Sequence, residues 1–289
     1  MPIVFVLIWS TGFIVARYGM PHAPPLKFLA LRYLLSVACF AVWAWLARAA
    51  WPVGRAQYKH LAVTGILMNA GYLGGVWAAV KLGMGAGLVA LLVGLQPVLT
   101  AVWIASRGGS VSARQWGGLA LGLAGLALVV WQKLGLGEID PLNLLLAAGD
   151  LLSITAGTLY QKRFVAPCDV RTANLVQMAA AFVVTAPLAL FEAESMHWVI
   201  EGGLNRELIG SMAWSVLALT LGGSSLLYLL IQRGAATAVT SLLYLVPPCT
   251  ALMAWLLFGE PITVLTIAGM ALTAVGVSLV VRAPAVAKA

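Results

Sequence analysis

The chain carries nine acidic side chains in 289 residues, and one of them, Asp150, lies inside the apolar run LLLAAGDLLSITAGTLYQKRF. Counted from the start of its span near 142 it sits roughly 12 Å deep at ~1.5 Å per residue. An ionised aspartate at such a depth costs about 2.5–3.5 kcal/mol on the insertion scale. It must face a bundle interior, pair with a cation, or stay protonated. Two readings follow: a carboxylate that binds a proton or cation for coupling, or a hydrogen-bonded structural acid. Gly157 and Thr158 share its helical face. Arg32, about a turn and a half into another apolar run, is its natural complement. Its guanidinium could hold a substrate carboxylate, pair with Asp150, or snorkel to the headgroups.

Backbone breaks are a second source of chemistry. Pro97 cannot donate to the carbonyl of Val93, and Pro247 and Pro248 release those of Leu243 and Tyr244. In lipid, a freed carbonyl needs a donor or a wet cavity. Both breaks fall about halfway along their runs, where a solute would sit, and Gln96 adds a donor and acceptor at that depth. Packing kinks satisfied by neighbouring helices are the simpler alternative. Aromatic and amide side chains within the runs complete a candidate lining for an amphipathic solute: Trp9, Tyr72, Trp77, Tyr160, Gln177, Tyr228 and Tyr244. Asn69 stands one turn before Tyr72, and Ser224 one turn before Tyr228, spacings that suit interhelical hydrogen bonds equally well. Trp43, Trp45, Trp51, Trp116, Trp131, Trp198 and Trp214 lie nearer the run ends, where an interfacial belt is expected.

Enzyme motifs are missing. His22, His60 and His197 are isolated, so no H-E-x-x-H metal site exists. Ser224 has no buried histidine as a base, Asp150 has no second intramembrane aspartate, and no Walker sequence supplies an ATP engine. No cofactor and no metal is implied. Cys39, Cys168 and Cys249 are far apart and read as small packing residues.

The elements that must hold these residues are membrane spans. The chain is 62% hydrophobic and 9% charged, against roughly a quarter charged in soluble domains. Ten spans fit, near 2–16, 27–47, 58–80, 86–106, 114–131, 142–164, 170–192, 207–233, 235–257 and 262–282. The first reads as a true span rather than a signal peptide. Eleven basic residues fall in one set of alternate loops and five in the other, with Arg32 set aside as intramembrane. The +8 net charge is therefore a positive-inside pattern rather than a nucleic-acid surface, and both termini are placed in the cytoplasm.

The chain also repeats itself. Leu88–Trp131 and Val239–Arg282 align at an offset of 151, matching Pro97 with Pro248, Gly108 with Gly259, Gly118 with Gly269 and Gly125 with Gly276. An offset of 145 matches Gly12 with Gly157 and Arg32 with Gln177. Five spans per half is odd, so the second half, 135–289, must enter the membrane from the opposite face to the first, 1–134. Such inverted repeats place a site near the midplane between them. Gly118 with Gly122, and Gly71 with Gly75, form small-xxx-small ridges for close helix approach.

The stretches IWSTGFIVARYG, PPLKFLALRYLL, LVALLVGLQPVLTAV, QWGGLALGLAGLALVVW and ATAVTSLLYLVPPCTALMAWLLFGEPIT, in this order, resemble the drug/metabolite transporter superfamily in its EamA branch. The resemblance implies an all-α polytopic protein of ten helices in two inverted five-helix repeats in a bacterial inner membrane. It also implies export of amino acids or other small metabolites, in some members against protons. One departure stands out: the Leu-Gly-Glu turn expected after spans four and nine is Phe258-Gly259-Glu260 in the second half but Arg107-Gly108-Gly109 in the first. The expected partners are thus a small-molecule substrate, the bilayer and possible coupling protons. The function read here is a secondary active transporter working by alternating access, with a passive facilitator or a multidrug or nucleotide-sugar carrier of the same fold as alternatives.

Overall fold

The computed structural model describes residues 2–108, 112–135, 140–226 and 245–281. Helices fill the expected spans across those residues. The first half contains α1 (Pro2–Gly19), α2 (Pro25–Leu46), α3 (Arg55–Gly65), α4 (Tyr72–Lys81), α5 (Ala86–Val93), α6 (Gln96–Ser106) and α7 (Ala113–Gly135). The second contains α8 (Pro141–Phe164), α9 (Val170–Ala189), α10 (Arg206–Trp214), α11 (Val246–Phe258) and α12 (Val264–Val281). Six stretches are long and apolar enough to cross a bilayer, including the composite Arg55–Lys81, and three shorter apolar helices accompany them. This is a multi-pass helical membrane protein.

Helix starts follow from the sequence. Pro25 opens α2 and Pro141 opens α8, where a missing N–H costs nothing. Asp140 and Asn143 form a reciprocal capping box, Asp169 caps α9, and Asn205 caps α10 through the Leu208 N–H. Pro97 interrupts its span as expected: α5 stops at Val93, and Gly94 and Leu95 separate it from α6. Pro247 and Pro248 occupy the first turn of α11, and the residues before Leu245 lie outside those described.

Two departures from ideal helix were not foreseen. Ile66–Gly71 joins α3 to α4 as a π-helical segment, and Ser215–Ser224 follows α10 as another. At the 151 offset, 66–71 falls on 217–222, so the widened turns occupy equivalent places in the two halves. In the second, the Thr220 hydroxyl donates to the carbonyl of Ser215, five residues back, at 2.8 Å.

The glycine ridges set the packing. On α7 and α12, a Cβ added to Gly125 would lie 2.5 Å from the Gly269 carbonyl oxygen, and one added to Gly276 would strike Gly118 and Gly122. Backbone meets backbone there, as small-xxx-small ridges permit. Position 118 meets 276 and 125 meets 269, so the two helices run antiparallel. Gly71 faces Ser153 and Gly75 faces Leu146 and Asp150, seating the α3–α4 span against α8. Aromatics at the helix ends are exposed, as a belt requires: Trp45, Trp51, Trp116 and Trp131.

Loops gather at two ends. At one, the connection 190–205, with its small hairpin pairing Val199 to Leu204, reaches over the α1–α2 turn: the His197 N–H donates to the His22 carbonyl. At the other, Gln57 bonds Ala166 in both directions, and the Thr172 hydroxyl donates to the Ala50 carbonyl.

Candidate functional site

Asp150 stands about 13 Å along α8 from its start. It is 1% exposed, and neither carboxylate oxygen has a hydrogen-bond partner among the described residues. Its Cβ lies 2.7 Å from where a Cβ on Gly75 would be, so glycine at 75 is what admits the acid. The α3–α4 span thus forms one wall of its pocket. A polar group buried without a partner is costly. Here it is held in place by a close backbone approach.

Arg32 is also buried, on α2, and it neither pairs with Asp150 nor snorkels. Its Nε and Nη2 donate to the Thr220 hydroxyl, at 3.3 and 3.1 Å, inside the second π segment. The next residue, Tyr33, donates its hydroxyl to the carbonyl of Asn69 in the first π segment at 2.8 Å. Asn69 and Thr220 correspond at the 151 offset, so adjacent residues of α2 grip equivalent points of the two halves. Tyr72 is buried immediately after the first π segment and is within electrostatic range of both Arg32 and Asp150.

Gln96 stands at the break between α5 and α6, and its Nε2 donates to the Thr158 hydroxyl on α8 at 2.8 Å. It therefore links the first half's broken span to the helix carrying Asp150. Leu91, Gly94, Pro247, Pro248, Met270 and Thr273 border a void of about 20 Å³ between the two proline breaks, room for about one water. Pro247 and Pro248 at the start of α11 thus face the Leu91–Gly94 end of α5 across a void with no solute-sized space.

The remaining expected lining residues divide. Trp9 is half-buried and tilts against Phe5 at 5.3 Å. Gln177 is half-buried on α9, its backbone packed against Gly65. Trp77 is core: it is 1% exposed and stacks on Phe28 at 4.4 Å. Tyr160 stands one turn from the end of α8, where its hydroxyl meets His60 Nδ1 at 2.8 Å beside the Phe164 ring. Tyr228 and Tyr244 lie outside the described residues. Reasoning from sequence placed Thr158 on the face of Asp150 without its bond to Gln96, and missed Tyr33 and Thr220. The 151 offset pairing Asn69 with Thr220 was the available signal.

The break between α5 and α6, the two π segments and the antiparallel glycine contact of α7 with α12 are features that set this helical membrane fold apart. The sequence pattern of the EamA-like transporter family matches residues 1–131 and 142–282. The chain belongs to the EamA-like transporter family. It is a membrane transporter of the drug/metabolite superfamily. Among its relatives is a Bacillus subtilis protein named "Uncharacterized transporter YvbV", 25% identical over 288 residues, covering 95% of this chain and 88% of the relative. A "Probable amino-acid metabolite efflux pump" of Salmonella typhimurium is 24% identical over 283 residues, covering 96% and 92%. The Escherichia coli protein of that same description is 23% identical over 286 residues, covering 96% and 92%. A solved structure shares the fold with a TM-score of 0.63 at 19% identity, over 96% of this chain and 95% of that one.

Proposed function

We propose that this family member is a secondary transporter that exports small amphipathic metabolites, amino acids among them, by alternating access. The carrying observation is the symmetry of contacts between the halves. Exchanging the halves at the 151 offset turns the 118–276 contact into the 125–269 contact. The α2–α9 pair behaves alike: Leu26 lies beside Glu192 and Ala50 beside Thr172, an antiparallel arrangement. On this reading, residues 1–134 and 135–289 are inverted repeats of five spans each, ten in all, about an axis in the membrane plane. Rocking one repeat against the other exposes the seam to each side in turn. Both termini are cytoplasmic by the basic-residue count, and the bilayer is a bacterial inner membrane, where relatives such as "Uncharacterized inner membrane transporter YedA" of Escherichia coli are named.

Asp150 is the proton or cation site in this account. A buried carboxylate with no partner among the described residues, set between α8 and the α3–α4 span, gains a ligand whenever the cavity admits one. Arg32, Tyr72, Gln96 and Gln177 line the path, with Trp9 and Tyr160 toward its mouths. Trp77, Tyr228 and Tyr244 complete the proposed lining, Trp77 becoming accessible only if the halves part. The test is Asp150→Asn in proteoliposomes. Flux driven by a pH gradient should vanish while the protein keeps its unfolding midpoint; unchanged flux rejects the coupling role.

A further inference from the structure

All nine acidic residues of the chain lie at or after Glu138, so the first half has none. Four of them reach across to the first half at one end of the molecule. Both Glu192 oxygens accept backbone N–H groups at the start of α2, from Leu26 at 2.9 Å and Lys27 at 2.8 Å. Glu194 takes the Lys81 ammonium at 2.7 Å, and Lys27 donates to the Glu194 carbonyl at 2.6 Å. Glu207 meets His22 Nε2 at 2.8 Å. Glu260 accepts from the Ala86 N–H at 3.1 Å, capping α5, whose preceding Gly85 has no side chain to do so.

The geometry that aims Glu260 is specific. Gly259 ends α11 in the left-handed region at φ 66°, which turns the chain so that the Glu260 N–H donates back to the Ala254 carbonyl. Its carboxylate then faces α5 of the other half. A Cβ on Gly85 would lie 2.8 Å from Glu260 Oε2, so the glycine leaves the carboxylate its seat. Two of the four acids, Glu192 and Glu260, accept backbone N–H groups at helix N-termini of the first half, where the helix dipole also favours an anion.

At the opposite end the contacts between halves differ in kind. Among the described residues they include the Gln57 amide with Ala166 and the Cys168 sulfur, the Thr172 hydroxyl with Ala50, His60 with Tyr160, and the Arg171 guanidinium 5.8 Å from the Trp43 ring. No carboxylate crosses there among those residues. The positions that correspond to the four acids, at offsets of 145 and 151, hold Ala47, Ala49, Ala56 and Gly109.

We propose that these four carboxylates form a clasp that holds the protein closed at the acid-rich end, and that the structure is the state closed there. This rests on the alternating-access reading. A carrier of two like halves would favour its two states equally; a clasp on one end tilts the balance toward closure at that end. The tilt resides in the second half's acids, and the substrate site need not change to alter it.

The test is electron-spin distance measurement in reconstituted protein whose three cysteines are replaced by serine. One label pair, Leu82→Cys with Val264→Cys, spans the halves at the acid-rich end; a second, Val53→Cys with Lys162→Cys, spans them at the other. Replacing Glu192 and Glu260 with alanine should add a longer-distance population to the first pair, while the second, already in contact through Gln57 and Ala166, should not lengthen. The milder Glu192→Gln with Glu260→Gln keeps an acceptor oxygen at each site and should give a smaller shift of the first pair in the same direction, which separates unclasping from misfolding. Unchanged distributions in variants that still carry out substrate exchange overturn the clasp and leave the carrier standing. Opening at the acid-rich end in protein that exchanges no substrate supports the clasp and removes the transport reading instead.

Discussion

The α7–α12 seam and the α8 helix obey opposite rules. Along the seam the two halves are interchangeable, Gly125 against Gly269 and Gly276 against Gly118 and Gly122. Along α8 they are not. The place of Asp150 corresponds, at the 145 offset, to Phe5 on α1, a fully buried aromatic. The small residues of the steric frame recur at matching positions, because close helix approach in lipid depends on small residues at fixed spacing. Acidic charge is free of that constraint, and all of it lies at or after Glu138. On the alternating-access reading proposed above, the contrast assigns the two states to the frame and their balance to the asymmetric polar groups.

The largest expected effect breaks the frame. Gly125→Val would place side-chain atoms into the Gly269 carbonyl and the Thr273 backbone, neither of which can rotate away. Overpacking against backbone should cost about 3 kcal/mol or more and show as a lost or sharply lowered unfolding midpoint in detergent. Gly149→Ala, with open space around it, should leave that midpoint unchanged or slightly raised. Equal effects would mean that the seam is not what holds the halves together.

The next effect separates side chain from backbone at the two π segments. Thr220→Val removes the hydroxyl that Arg32 uses, leaving buried guanidinium donors without that acceptor, at about 1–3 kcal/mol. Asn69→Ala keeps the backbone carbonyl that Tyr33 uses and should cost distinctly less. A thermal-unfolding comparison of the two variants reads the difference; the reverse order would show that α2 does not grip both segments.

The smallest effect lies at the exposed rim of the acid-rich end. Lys81, through its hydrogen bond and charge, holds the Glu194 carboxyl below the usual carboxylate range. A group whose folded pKa is depressed contributes stability above its unfolded value and loses it as pH falls through the folded one. The Lys81–Glu194 link should therefore be complete at neutral pH and weaken only in acid below the ordinary glutamate range. Because the pair is solvent-screened, Glu194→Gln should shift the midpoint only slightly at pH 7 and not at all in strong acid.

The sequence disclosed the frame well. The 151 offset, the proline at the centre of span four and the glycine ridges are backbone and steric features, and each constrains structure locally enough to be read from one chain. Asp150 was also legible, since an acid in an apolar run is conspicuous whatever surrounds it. Its relation to Arg32 was not, because which of several buried donors and acceptors meet depends on helix rotation. The structure gives Arg32 to Thr220 and leaves Asp150 without a partner among the described residues. Trp77 and Tyr160 show the same limit: position along a span does not tell whether a ring packs in the core, as Trp77 does on Phe28, or closes a helix end, as Tyr160 does with His60. Glu260 was legible as a turn residue, yet its partner Ala86 is 174 positions away and emerges only from the fold.

Trans-stimulation in proteoliposomes tests the central claim most directly. Vesicles preloaded with a labelled amino acid are diluted into buffer with or without the unlabelled compound outside. Alternating access at a seam between inverted halves predicts faster loss of label when unlabelled substrate is present outside, saturating with its concentration. Loss of label at the same rate with and without external substrate would contradict it and describe an open pore.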